Sequence, residues 1–275
     1  SNAEQFLNYV TVNNVNKIQA GGAQYSAFCN KDGKVIDDII VYKNNSESFF
    51  IVVNASNIDK DYNWLLQNNT YNVKINNLSS DYSILAVQGP ESRKLLMKCL
   101  GIDLSNIKFY TFQSFKIFDQ DVIVSRTGYT GELGYEIIAN DIMKIWKVLL
   151  KNDVMPCGLA VRDILRIEMK YCLYGNDLSD QINPIQAGLK WIVDFTKKDF
   201  IGKEHFQKEI DKASTRLICF KMLEKAIPRK DYSVYLDNKK IGIVSSGTFS
   251  MGLNSGIGLA FVDAHYINEK NINIK

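Results

Sequence analysis

The chain has 275 residues, 46% of them hydrophobic and 23% charged, with 33 Lys+Arg against 30 Asp+Glu and a formal net charge of +3. That balance excludes a disordered, highly charged chain and offers no basic block dense enough to track a nucleic-acid backbone. No apolar run is long enough to span a membrane, and the first residues lack the basic-then-apolar pattern of a signal peptide.

In chain order, Phe6 and Val10 open a helical pattern. Three alternating runs follow, 23–30 (AQYSAFCN), 35–43 (VIDDIIVYK) and 48–56 (SFFIVVNAS), the first two joined by the turn KDGK. Ile58, Tyr62, Leu65 and Leu66 fall at helical spacing, and 71–79 (YNVKINNLS) alternates as a fourth strand. A second unit begins near Tyr82 with the apolar strand YSILAVQ. Pro90 and Glu91 then open a helix that Gly101 stops. Two strands over 112–128 and a third over 134–140 precede two helices, 141–152 with Asp141 as its cap and 158–171. Beyond residue 181 the texture is short strands and turns: 189–195, 214–223, 232–250 and 256–263, with LDNKKIG as a hairpin signal and one helix over 202–213. The reading is therefore α+β, with unit boundaries at 1–80, 81–180 and 181–275. Two units carry largely antiparallel sheets and the last is a small β-barrel.

Five cysteines (Cys29, Cys99, Cys157, Cys172, Cys219) show no C-x-x-C spacing. The odd number fits reduced thiols used as small apolar residues, and it argues against a disulfide framework or a zinc knuckle. Only His205 and His265 are present, far apart, which disfavours zinc catalysis and a Ser-His-Asp triad.

Four stretches carry the candidate chemistry. SRTGYTGELGYEI (125–137) spaces Gly128, Gly131 and Gly134 three apart and leads into a strand, so it is neither a dinucleotide fingerprint nor a Walker loop. A long hairpin tip explains the glycines but not the gathering of Arg126, Tyr129 and Glu136. A Tyr face beside a Glu and an Arg would suit a flat polar heterocycle. Asp37 and Asp38 interrupt an apolar strand and point to opposite faces. One of them faces inward, either bonded to backbone amides or used. Arg162, Asp163, Arg166 and Glu168 lie within two helical turns. Their spacing favours an exposed ion-pair ladder, while Ile164, Leu165 and Ile167 on the same helix suggest partial burial. The Gly/Ser-rich 244–262 reads as a barrel loop between strands.

Taken in order, YSAFCNKDGKVIDDIIVY, VVNASNIDKDYNWL, VQGPES, SRTGYTGELGYEI, GLAVRDILRIE, LYGND, FIGKE and SSGTFS with GIGLAFV resemble the folate-binding aminomethyltransferase family, the T-proteins of the glycine cleavage system. The resemblance covers nearly the whole chain. It implies a three-domain cloverleaf around tetrahydrofolate as co-substrate, with no metal. The implied reaction takes an aminomethyl group from the lipoylated H-protein, releases ammonia and leaves 5,10-methylenetetrahydrofolate. Matching motif to motif, Asp38 falls on the family's catalytic aspartate. Glu136 and Arg162 would hold the pterin edge, the glycines would let the chain bend around it, and Tyr25, Asn54 and Tyr129 would line the cavity. Tyr171 and Arg229 are further folate contacts. The resemblance also implies a central unit lacking its N-terminal part, a barrel lacking its C-terminus, and a monomer that is cytoplasmic if bacterial or mitochondrial if eukaryotic. Its partners would be the H-protein and the other cleavage-system components, with no nucleic acid or membrane. A folate-dependent demethylase is the competing enzyme. A non-enzymatic iron–sulfur assembly protein would carry a KGCY-x-GQE string, which this sequence lacks.

Overall fold

A computed structural model describes residues 1–209 and 213–275. Helix α1 (Asn2–Val10) starts where the Ser1 hydroxyl accepts the Glu4 N–H, and it buries Phe6, Leu7 and Val10 along one face. Strands β1 (Gly22–Cys29), β2 (Val35–Lys43) and β3 (Phe49–Val52) form an antiparallel sheet in the order β1-β2-β3. Asn30 Oδ1 accepts the N–H groups of Asp32 and Lys34 and so closes the β1–β2 turn. Helix α2 (Ile58–Gln67) joins α1 over one face of this sheet, where Phe28, Ile39, Val41 and Leu65 pack.

The second unit runs β4 (Ser83–Gln88), α3 (Ser92–Leu100), β5 (Phe112–Ile117), β6 (Gln120–Ser125), β7 (Gly134–Ala139), α4 (Ile142–Lys151) and α5 (Leu159–Glu168). Its sheet has the order β4-β7-β6-β5. Tyr135 and Ile137 point into a core with Leu96, Ile145 and Leu149 of α3 and α4. The period of two sends Glu136 to the opposite face. Gly101 ends α3 in the left-handed region at φ 66°, its N–H on the Met97 carbonyl, as the sequence indicates. The first and second sheets meet at a corner where Ala23 N–H donates to the Tyr110 carbonyl at 2.8 Å and Phe112 N–H to Gly21 at 2.8 Å.

Helix α6 (Lys203–Glu209) precedes the third sheet, built from β8 (Thr215–Lys221), β9 (Ser233–Leu236), β10 (Lys239–Ser250), β11 (Ser255–Asp263) and β12 (Asn273–Ile274) in the order β12-β9-β10-β11-β8. Leu236 pairs with Lys239, so the LDNKKIG hairpin is a two-residue turn. This unit is barrel-like, but its sheet stays open. One core is common to the lobes: Ala27 and Val35 of the first sheet, Ile167 of α5, Ile185, Ile192 and Phe200 of the connecting segment, and Leu217 and Leu259 of the last sheet. Backbone bonds from Val35 to Ile182, Asp194 to Val12 and Ile201 to Tyr9 carry packing across the boundary expected at 181.

Three sequence expectations are corrected. Residues 71–79 form no strand. Tyr71, Val73 and Ile75 do pack alternately on the first core, but Asn72 takes φ 54° and the Asn69 side chain claims both the N–H and the carbonyl of Val73. Alternation here reports one-sided burial of an extended segment with no partner strand. The 189–195 run instead makes a short 3-10 turn, Lys190–Ile192. Its buried Leu189-side positions Ile192 and Val193 fall at i+3 and i+4, a helical spacing. Asp141 does not cap α4 with its side chain but pairs with Lys144 at 3.4 Å. The helix expected over 202–213 is found as Lys203–Glu209, and residues 210–212 of that expectation lie outside the described residues.

Candidate functional site

The first two units and the connecting segment around Ala187–Trp191 enclose a cavity of about 1170 Å³, large for a small-molecule site. Asp38 lines it from β2 and Tyr25 from β1. Register explains their meeting: Ala27 lies opposite Asp38, and Tyr25, two residues earlier, is the diagonal neighbour on the same face. Tyr25 Oη donates to Asp38 Oδ2 at 2.9 Å, and Asn54 Nδ2 donates to Oδ1 at 2.9 Å. Asp37 points to the other face, as the strand period requires, and is 0% exposed. It accepts the Asn54 N–H at 3.0 Å, Asn54 Nδ2 at 2.9 Å and Asn57 Nδ2 at 2.6 Å. Asn54 thus clamps both aspartates. Burial, then the negative charge of Asp37, pushes the Asp38 carboxyl up to about 6, while the Tyr25 and Asn54 donors hold it back. Burial and the Asp38 charge push the Tyr25 phenol well above its ordinary value, so it stays a donor.

Glu136 faces the cavity from β7, its Oε2 accepting the Thr127 hydroxyl. No side chain among the described residues donates to Oε1. Tyr129 stacks on Tyr171 with ring centroids 5.8 Å apart, and the Arg162 guanidinium sits 4.5 Å over the Tyr129 ring. The Tyr129 hydroxyl donates to the Cys172 carbonyl, which fixes the ring. On the opposite wall Tyr25 stacks with Trp191, which is 68% exposed. The cavity therefore has two aromatic walls, the guanidiniums of Arg126 and Arg162, and the carboxylates of Asp38, Glu132 and Glu136. Neither histidine lines it. Burial, then the Asp177 charge, pushes the lining Cys172 thiol up to about 12, so it is no thiolate at neutral pH. Among the described residues no group of three or more His, Cys, Asp or Glu is placed to hold a metal ion.

Seven of the eight residues singled out in the sequence line this cavity: Asp38, Tyr25, Asn54, Tyr129, Glu136, Arg162 and Tyr171. Arg229 does not, and that expectation is corrected. It is exposed, directly after the buried Pro228, whose carbonyl lies where Gly247 would carry a Cβ. Packing Pro228 inward turns the next side chain out to solvent.

The glycine loop also lines the cavity, through Gly128, Gly131 and Gly134. A Cβ on Gly128 or Gly134 would lie 2.1 or 2.0 Å from Gln88 Oε1, and one on Gly131 (φ 76°) would lie 2.5 Å from Met169 Cγ. From the protein side Gln88 approaches Gly128 and Gly134, and it donates to the Thr127 and Tyr135 carbonyls at 3.3 and 3.2 Å and so shapes the loop. The QG pair was a weak signal for this role.

The ion-pair ladder read on α5 fails at Arg166, which is 1% exposed. It pairs with Asp177 at 2.5 Å and with Asp163 at 2.8 Å, and donates to the Tyr171 carbonyl at 3.2 Å and the Ser246 hydroxyl at 2.8 Å. Ser245 and Ser246 also donate to Asp177. This buried network ties α5 and LYGND to β10, and so holds Arg162 and Tyr171 at the cavity wall. The apolar neighbours of Arg166 were the only sequence signal for it. Trp191 and Gln88 were not anticipated either.

Two family models match: the GCVT N-terminal domain over residues 1–197 and the glycine cleavage T-protein C-terminal barrel domain over 215–275. An aminomethyltransferase of Thermosipho melanesiensis is 42% identical over 276 residues, covering 98% of this chain and 76% of that protein. One of Oceanobacillus iheyensis is 42% identical, covering 96% of this chain and 75% of that protein. The crystal structure of glycine cleavage system aminomethyltransferase T from Bartonella henselae superposes with a TM-score of 0.91 at 26% identity, over 100% of this chain and 77% of that one. Motif order, cavity and similarity agree: the chain belongs to the glycine cleavage T-protein family of aminomethyltransferases.

Proposed function

We propose that the cavity binds tetrahydrofolate and that the chain transfers to it an aminomethyl group carried on the lipoyl arm of an H-protein, releasing ammonia and forming 5,10-methylenetetrahydrofolate. The observation that carries this reading is Asp38: a carboxylate clamped by Tyr25 and Asn54, facing a cavity whose other walls offer aromatic rings, Glu136 and Arg162.

The chemistry needs position and an anion rather than a protein nucleophile. As the carbon–sulfur bond breaks, its electrons leave with sulfur and the amine nitrogen lone pair makes an iminium-like carbon. A folate nitrogen attacks that carbon, ammonia departs, and the second folate nitrogen closes the methylene bridge with loss of a proton. Positive charge develops on the transferred carbon throughout. Asp38, prearranged by two donors and partly shielded from water, stabilises that charge without reorganising. Its carboxyl near neutrality also suits it to accept the departing proton. Glu136 Oε1 accepts from the amino-pyrimidine edge, and Arg162 with Tyr129 and Tyr171 holds the flat ring system. Bringing carrier and acceptor into one enclosure supplies effective concentration.

Isothermal titration calorimetry with tetrahydrofolate tests the site: micromolar binding is expected, weakened at least about tenfold in Glu136→Gln. Ammonia release from aminomethylated H-protein tests the reaction, and Asp38→Asn is expected to abolish it. Wild-type turnover in that variant would remove Asp38 from the chemistry.

A further inference from the structure

Asp61 lies one turn into α2, four residues after Asn57, so the helix sets both on the face toward Asp37. It is 1% exposed, and neither of its carboxyl oxygens has a hydrogen-bond donor among the described residues. Its polar neighbour is Asp37, itself fully buried. No ion pair involving either carboxyl is formed among the described residues. Lys60, the nearest cation, donates instead to the Ile36 carbonyl at 2.6 Å and the Tyr174 hydroxyl at 2.9 Å. Two buried carboxylates without a cation cannot both be ionised, because each unpaired buried charge costs several kcal/mol. One proton is therefore shared, and the donors decide who holds it. Asp37 accepts three N–H groups, which stabilise an anion. Asp61 receives none.

We propose that Asp61 is a positioning residue: it sits as a neutral carboxylic acid, donates its proton to Asp37, and through Asp37 and Asn54 holds Asp38 in place. This deepens the reading above and rests on it for the role of Asp38. The groups that bear on the Asp61 carboxyl agree in sign. Burial, a hydrogen bond to Asp37 and the Asp37 charge all drive its pKa far up; Lys60 opposes them weakly, and Asp38 adds to them. The arrangement keeps a single negative charge beneath Asp38. Ionising Asp61 would put a second one there and break the bond that seats Asp37.

The experiment pairs Asp61→Asn, which replaces the acid O–H with an amide N–H and cannot ionise, with Asp61→Ala, which removes the donor. Infrared spectroscopy of the unliganded protein is expected to show a protonated-carboxyl stretch at neutral pH that disappears in Asp61→Asn. Transfer is expected to fall at least about tenfold in kcat in Asp61→Ala with KM for tetrahydrofolate little changed, and to be rescued in Asp61→Asn. An alkaline decline of kcat is expected in the wild-type protein as Asp61 ionises, and it should be absent from Asp61→Asn. Loss of activity in Asp61→Asn equal to that in Asp61→Ala, or a protonated-carboxyl band that Asp61→Asn leaves at full intensity, overturns the proposal. The infrared band is read without substrate. A band that behaves as expected in a protein that binds no folate would therefore reject the functional reading and leave the proton on Asp61.

Discussion

The Tyr25→Phe substitution isolates one contact at the reacting centre. It deletes the hydroxyl that donates to Asp38 Oδ2 at 2.9 Å, and it keeps both the ring stacked on Trp191 and the Asn54 clamp on Oδ1. A hydrogen bond to an ionised group contributes about 1.5–3 kcal/mol, and the low end applies because cavity water can take the vacated position. At about 1.4 kcal/mol per unit, that raises the Asp38 pKa by about one unit, since the donor favours the charged form and its loss favours the protonated one. The starting value is about 6, so the variant should titrate near ~7. The assay is single-turnover aminomethyl transfer across the range from about pH 5 to 9, with the acid limb reporting Asp38. Near pH ~6.5 the wild-type carboxyl is about three-quarters ionised and that of the variant about one-quarter, a roughly threefold loss of rate. At about pH 8.5 the two should nearly converge, apart from any loss in positioning. An acid limb that stays put or moves down refutes the assignment of Asp38 as the ionised acceptor of Tyr25.

Asp38→Asn should stabilise the fold while abolishing transfer. The folded carboxyl titrates near 6 against an ordinary 3.8, so the native state retains a proton that the unfolded chain has lost, and Asp38 lowers stability as pH rises through that window. Two units correspond to about 3 kcal/mol, screened by cavity water to an expected gain of about 1–2 kcal/mol at neutral pH and nearly none near pH ~4; urea denaturation at both pH values measures it, and an equal gain at the two would contradict the linkage. Arg166→Met leaves Asp177 buried without its cation and should cost about 3–5 kcal/mol by the same measurement, whereas a loss within about 0.5 kcal/mol would mean the pair is not desolvated. Gly131→Ala meets both a positive φ and Met169, so a destabilisation of about 1–2 kcal/mol with weakened folate binding is expected; unchanged calorimetry would show that the loop shape does not set the cavity wall.

Much of this protein was decided locally and could be read along the chain. The α+β alternation, the stop at Gly101, the two-residue LDNKKIG turn and the opposed faces of Asp37 and Asp38 follow from backbone periods and from the conformations that glycine, asparagine and aspartate allow. Of the eight residues that motif order singled out, seven line the cavity. The rest was settled by partners distant in sequence. Whether 71–79 became a strand depended on a neighbouring ladder that never arrives. Whether Arg166 faced water or Asp177 depended on β10 closing over α5. Gln88 acquired its meaning only when the glycine loop folded onto it, and Asp61 only when α2 laid it against Asp37. Burial and charge pairing are properties of three dimensions, and a sequence carries them only as a residue type that is costly to leave unpaired.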